Sequence, residues 1–482
     1  MDWFNAEGFE LARQVLQRGI AAIYLIAFLS AAAQFPALLG EHGLLPVPKY
    51  LGWSGARGPT LFRRHYSDRL LLAVAWTGAA VSALLVAGLP QAGPSWLPML
   101  AFLLLWGLYM SIVNVGQTFY AFGWETLLLE AGFMAAFLGS HQVAPPYPIL
   151  LLFIWLAFRL EFGAGMIKMR GDRCWRDLTA LYYHHETQPM PGPASWFFHH
   201  LPKPLHRLEV LGNHITQLVV PFLLFAPQPV ASVAAAVVIA TQLWLVISGN
   251  FAWLNWLTII IAFAAVSDRA VQAVLPGLGD FTPEYGPTPA WFTVVVLAVS
   301  ALLLVLSYWP ARNLLSRHQL MNSSFNRWHL GNAYGAFGSI TRQRYEIIVE
   351  GSLDGVDWRE YEFKGKPGDP ARMPRQFAPY HLRLDWLMWF LALGSRGENW
   401  FIPFLRKLLE ADRPTLRLLR VDPFDGEAPK YVRARIFHYR YSTWAEKRAT
   451  GQWWIRRPAG VLVQPLTLAR GSQRRAWLGD WS

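Results

Sequence analysis

Charge is scarce in this chain of 482 residues: 15% of them are Asp, Glu, Lys or Arg, where soluble domains carry about 25%. Cysteine is scarcer still. The single Cys174 excludes an intrachain disulfide, so the fold asks for no oxidising compartment. A Walker A loop, a Rossmann fingerprint, a GxSxG elbow and the kinase motifs are all missing, which leaves no sign of nucleotide-dependent or serine-hydrolase chemistry. Gly338-Ser339 and Gly351-Ser352 read as turns, not phosphate loops, and no internal repeat is evident. What fills the space is grease. The chain is 54% hydrophobic and holds 24 Trp, a residue that favours membrane interfaces. A polytopic α-helical membrane bundle joined to a soluble part is the class these numbers describe.

The net charge of +12 is unevenly spread. Residues 311–482 hold 28 of the 43 Lys and Arg but 16 of the 31 Asp and Glu, so the whole surplus lies in the tail. Such a tail suits nucleic acid or anionic lipid. No nucleic-acid motif accompanies it, so membrane lipid is the partner the charge implies. Cys174 stands between Arg173 and Arg176, either as a thiol of lowered pKa or as a passive loop residue.

Crossing roughly 30 Å of hydrocarbon takes about 20 apolar residues. Such runs lie near 17–38, 69–89, 96–115, 119–139, 148–168, 229–248, 251–268 and 291–309, with a shorter one at 213–226 broken by Pro221. That predicts eight or nine spans. The first follows Arg13 and Arg18 and ends LSAAAQF, like a signal peptide; its length favours a retained span. Loops near 49–69, 168–207 and 312–327 are basic, whereas 90–96 and 140–147 hold no Lys or Arg and 268–290 is net acidic. Nine spans put the three basic regions on one side, which the positive-inside rule makes cytoplasmic.

The boundaries expected are a transmembrane helical domain over 1–310 and a soluble β-rich α+β domain over 311–482. Within the tail, YEIIVEGSLDGVDWREYEF reads as two strands turning at Leu353-Asp354-Gly355. LDWLMWFLALG and WFIPFLRKLLEA read as helices; TLRLLRVDPF, YVRARIFHYRYST and GVLVQPLTL read as strands.

Chemistry concentrates in residues 158–202. Helical spacing puts Glu161, Gly165 and Lys168 on one face, an acid and a base separated by a notch. Lys168 at the end of an apolar helix either serves as a base or anion site, or snorkels and pairs with Glu161. Glu125 and Glu130 are five apart in a predicted span, too far around the helix for a dyad, and either can face Arg159 on the next helix. The loop TALYYHHETQP supplies Tyr182, Tyr183, His184, His185, Glu186 and Gln188, with His199 and His200 beyond. Its spacing matches no zinc signature, so no metal is expected. Asn250 and Asn255 sit at a tight turn and the start of a span, suited to capping or interhelical bonds.

Several of these stretches resemble a known family. FGWETLLLEAGF, GAGMIKMRGDRCWRDLTALYYHHETQPMPGPASWFFHHLP and VISGNFAWLNWLTI are similar to the membrane half of the lipase maturation factors, and NAYGAFGSITRQRYEIIVEGSLDGVDWREYEFKGKPGDP with FAPYHLRLDWLMWFLALG to their tail. The resemblance runs from about residue 50 to 460. It implies a polytopic endoplasmic-reticulum protein that brings secreted lipases to active form, with the tail, residues 325–482, meeting the client; in a bacterium the membrane would be the plasma membrane. No cofactor is implied. A narrower resemblance joins AGMIKM and Trp175 to the vitamin K-dependent γ-glutamyl carboxylase superfamily, where the matching lysine is a base on the quinol. It implies an alternative: a membrane enzyme with Lys168 as base and Glu161 and His185 tuning or relaying protons. A small-molecule transporter is a third reading, from Pro221 and the in-membrane charges.

Overall fold

The computed structural model describes residues 3–54, 58–278, 283–394 and 399–468. Six helices among them are long and apolar enough to cross a membrane: Glu7–Leu39, Asp68–Ala87, Trp96–Val113, Tyr147–Arg170, Val230–Ser248 and Ala290–Leu315. A seventh counts if Leu254–Ala265 and Asp268–Val274, bent by 104°, form one span. Local signals set the ends. Ser67 caps Asp68–Ala87 by accepting from the Leu70 amide at 3.2 Å, and Gly88 ends it at φ 82°, where a side chain is disfavoured. Lys168 and Arg170 fill the last turn of Tyr147–Arg170, facing the negative end of its dipole.

Three expected spans differ: 251–268 is the bent pair, and two others are shorter than a span. Residues 119–139 divide into a turn at Gln117–Tyr120 and a helix at Gly123–Ala135. Those 13 residues rise about 20 Å, short of the roughly 30 Å of hydrocarbon. All but Thr126 are buried, so this helix meets protein on every side. The 213–226 run becomes the end of helix Lys203–Leu218 and a short turn, Val220–Leu223. Pro221 lacks the N–H that would continue the helix. The first helix is built into the core, with Tyr24 donating to the Leu128 carbonyl at 3.1 Å.

The bundle has two rims. At one, the Ala6 amide donates to Pro145 O at 2.9 Å, Glu10 N to Asp268 Oδ2 at 2.8 Å, and His141 N to Gln91 O at 2.9 Å. At the other, Gln117 Nε2 donates to Leu45 O at 2.9 Å, Asp172 N to Gly338 O at 2.8 Å, and Asn250 N to Met190 O at 3.1 Å.

The tail sits on this second rim. Its antiparallel sheet has the order β2-β1-β3-β4, with β1 Arg344–Ser352, β2 Arg359–Glu360, β3 Tyr431–Tyr441 and β4 Trp454–Leu466. The expected hairpin is present: Glu350 pairs with Glu360, and Asp354 accepts from the Val356 and Asp357 amides at 2.8 and 2.9 Å. Both expected tail helices form, as Arg383–Ala392 and Phe401–Leu409. TLRLLRVDPF is not a strand. Asp412 caps a helical turn at Arg413–Leu416 instead, and only Val421 makes a β-bridge, to Glu362. The apolar core runs unbroken from bundle to sheet, with Phe119 of the rim edge-on to Trp400 of the tail at 6.0 Å. A second cluster ties Trp196 of the 171–202 loop to Ile348, Phe437, Tyr439, Tyr441 and Trp454.

Candidate functional site

Where the tail meets the bundle lies a partly open cavity of about 970 Å³, at the large end of ligand pockets. Aromatic walls come from both parts: Trp124 and Trp175 from the bundle rim, Trp386, Trp389 and Phe390 from the tail. Trp124 stacks on Phe122 with ring centres 4.7 Å apart, and Trp386 meets it edge-on at 4.8 Å.

Glu161 and Lys168 both line this cavity, with Trp175, His184, Gln188 and Asn255. They do not form an ion pair. Gln217 stands between them: Lys168 Nζ donates to Gln217 Oε1 at 2.7 Å, and Gln217 Nε2 donates to Glu161 Oε2 at 3.3 Å. Gln242 Nε2 donates to the other Glu161 oxygen at 2.6 Å and accepts from Asn255 Nδ2 at 2.6 Å. The result is a chain of hydrogen bonds, Lys168–Gln217–Glu161–Gln242–Asn255, across four helices. Gly165 is no open notch. A Cβ there would meet Leu218 Cδ2 at 2.7 Å and Gln217 Cβ at 3.0 Å, so the glycine lets helix Lys203–Leu218 close against Tyr147–Arg170 and fill the gap. Lys168 Nζ also donates to Asn213 Oδ1 at 2.8 Å and lies 4.8 Å from the centre of the Trp175 ring. Its three N–H groups thus face two amide oxygens and a π-face.

The remaining expected polar residues go elsewhere. Glu130 does meet Arg159; it also accepts from Asn332 N at 3.1 Å and Tyr334 Oη at 2.7 Å. Glu125 meets the tail, not Arg159. Arg383 Nη1 lies 2.6 Å from its carboxylate, His381 Nδ1 lies 3.4 Å away, and Tyr109 donates to it. Burial in this seam, with Arg383 alongside, holds His381 down at about 4. Asn250 clips the tail to the rim, donating to Pro191 O and Arg375 O at 3.2 and 2.9 Å and accepting from the Phe377 and Ala378 amides. Gln188 donates to Ser195 Oγ at 2.9 Å and Ser248 O at 3.0 Å. Glu186 accepts from the Tyr441 amide at 2.7 Å, and burial raises its pKa. Tyr183 lies under Arg342, 4.8 Å from ring centre to guanidinium.

His184 packs against Phe251 and Phe337, and burial drives its pKa down to about 3. His185, its neighbour, does not line the cavity with Lys168. It turns toward His206 and Glu209, and donor atoms of these three lie within 4.8 Å of one another. Local spacing gave no hint of a metal-like grouping because its members come from two helices. Cys174 is buried and its thiol is pushed up to about 11 by burial, the reverse of an activated cysteine.

Sequence reading missed Asn213, Gln217, Gln242, His381 and Arg383. The signal for two of them was present: Gln217 and Gln242 interrupt the apolar runs ITQLVVP and IATQLWLV, and amides in such runs bond across helices.

Comparison with known proteins covers both halves. Residues 11–273 match the lipase maturation factor transmembrane domain and residues 330–464 the lipase maturation factor C-terminal domain. Lipase maturation factor 1 of Bos taurus is 40% identical, over 96% of this chain and 90% of its own length. The Homo sapiens protein of the same name is 39% identical over 95% and 88%. Lipase maturation factor 2 of Homo sapiens is 30% identical over 93% and 82%. No solved structure matches the chain.

Proposed function

The chain belongs to the lipase maturation factor family, and from that premise we propose that it helps an exported client, such as a secreted lipase, reach its active fold without itself catalysing a covalent step. It is an integral membrane protein. The observation that carries the reading is the extent of the similarity, which includes bundle and tail together.

We place client contact on β4. It is the longer of the two edge strands of the sheet among the described residues, 13 residues against the two of β2, and it leaves Val461 and Leu462 50% and 40% exposed. Edge strands are templates for added chains. Removing residues 325–482 is a poor test, because Arg383, Asn332 and Tyr334 neutralise or bond the buried Glu125 and Glu130 of the bundle. The double variant Val461→Asp/Leu462→Asp is the better one. Co-expressed with a lipase in cells lacking their own factor, it should insert normally and yield little active lipase; full activity overturns the placement.

A nine-pass topology is supported by the two rims. Chain segments alternate between them, with the buried helix Gly123–Ala135, the Lys203–Leu223 segment and the bent Leu254–Ala265 each counted as one pass. A maturation role needs the tail rim on the export side, opposite to the positive-inside expectation. Part of the basic excess at that rim is matched within the protein: Arg342 pairs with Asp172 at 2.9 Å and Arg173 with Asp177 at 3.0 Å. Because Cys174 is buried, Leu353→Cys in a Cys174→Ser background is the side reporter. Labelling by a membrane-impermeant thiol reagent in sealed cells is the outcome this reading requires. The export membrane is the plasma membrane for a bacterial chain and that of the endoplasmic reticulum for a eukaryotic one.

The enzyme alternative draws on the same cavity, with Lys168 and Glu161 joined through Gln217 and His185 set apart. A general base needs a lone pair aimed at substrate, whereas the Lys168 ammonium has all its N–H groups engaged. A folded Lys168→Met variant that loses all function would favour the enzyme.

A further inference from the structure

We propose that His185, His206 and Glu209 bind a zinc-type divalent transition-metal ion at the wall of the cavity.

The three side chains come from helices Leu181–Thr187 and Lys203–Leu218, and their donor atoms all lie within 4.8 Å of one another. Glu209 Oε2 is the shared point, 4.0 Å from His185 Nε2 and 3.9 Å from His206 Nδ1. Those gaps are too wide for hydrogen bonds, which would close to about 2.7–3.2 Å. Four-coordinate zinc holds nitrogen and oxygen ligands at about 2.0–2.2 Å, hence roughly 3.3 Å from each other. Closing the two Glu209 gaps by about 0.6–0.7 Å, and the gap between the imidazoles by up to about 1.5 Å, brings these donors onto an ion.

The surrounding bonds prepare each ligand. His185 is 1% exposed, yet neither ring nitrogen has a hydrogen-bond partner. A buried imidazole with two orphaned nitrogens is costly unless something binds it. In His206, Nε2 lies 3.4 Å from the His199 carbonyl, which fixes the proton there and leaves the orphaned Nδ1 toward Glu209 as a lone pair. Trp244 Nε1 donates to Glu209 Oε1 at 2.6 Å, so Oε2 is the oxygen turned to both imidazoles. Metal-ligating histidines commonly donate their second N–H to a carbonyl, and ligating carboxylates are themselves hydrogen-bonded. His206 and Glu209 are three apart and share a helical face.

Two imidazoles and one carboxylate are a donor set for zinc, and three protein ligands leave a fourth position for water or an anionic oxygen. Glu209 also borders the cavity, which places the ion at its wall. The site would fasten the 181–187 helix to Lys203–Leu218 and, through Trp244, to Val230–Ser248.

The test uses the full chain, free of any affinity tag, in detergent. After chelator treatment and incubation with zinc followed by desalting, elemental analysis should find about one ion per chain, the count of a single three-ligand site. His185→Asn and Glu209→Gln should drop to background, while His200→Asn keeps the ion. Trp244→Phe, which removes only the bond orienting Glu209, should weaken binding about tenfold. Should the ligand variants fail to fold, wild-type protein loaded with Co2+ decides: visible bands of four-coordinate cobalt support the site. No retained zinc in the wild type, equal retention in folded ligand variants, or only the weak spectrum of six-coordinate cobalt overturns it.

Discussion

Two buried polar regions lie on the same rim and are built differently. In the seam between bundle and tail, each carboxylate meets a guanidinium: Glu125 with Arg383 and Glu130 with Arg159, both on nearly inaccessible side chains. Around the cavity, Glu161 and Lys168 reach each other only through Gln217, and beside it neither ring nitrogen of His185 has a hydrogen-bond partner. The two carboxylates of the seam are satisfied from within the chain. The cavity wall is satisfied by amides, which bond either charge state, or is left open. The contrast separates polar groups that hold the fold from those placed to meet something else.

The largest effect is expected at the seam. Arg383→Ala leaves Glu125 charged and buried, a change that costs about 3–5 kcal/mol; the variant should fail to accumulate as monodisperse protein. The double variant Glu125→Gln/Arg383→Met should recover much of the loss, since replacing both ions removes the orphan. A smaller effect comes from acid. His184 and His381 are held neutral by burial, at about 3 and about 4. Their unfolded forms take up protons below about 6.5, so stability is full above that value and falls as pH drops through it toward the folded values. For His184 the loss at pH 5 is about 2 kcal/mol, read as a lower melting temperature; His184→Phe should flatten the slope. Gly165→Val should cost about 1–3 kcal/mol by forcing Leu218 and Gln217 away, seen in the same melting assay. Lys168→Met should cost less, about 1–2 kcal/mol for two amide oxygens left without a donor. A cost as large as that of Arg383→Ala would erase the distinction between the two regions.

Much of this layout was legible in the chain. Apolar runs located the long helices, and β-rich alternation with Asp354-Gly355 located the hairpin. That Glu125 or Glu130 pairs with Arg159 followed from the need of a buried charge for a partner, and the structure selects Glu130. Failures came where the partner is distant in sequence. Glu125 meets Arg383, and Glu209 meets His185, through the docking of separate elements that no local period encodes. The notch expected at Gly165 is filled by Leu218 and Gln217 of helix Lys203–Leu218, which the spacing within one helix does not reveal. TLRLLRVDPF has a strand's composition, yet Asp412 and Pro414 start a helical turn there.

On the proposed function, edge strand β4 of the tail, and not the lysine of the cavity, meets the client. Active secreted lipase should be measured with Val461→Asp/Leu462→Asp and Lys168→Met side by side, each at matched levels of folded protein. Near wild-type yield is expected with Lys168→Met and background yield with the strand variant. The reverse pattern would contradict the proposed function.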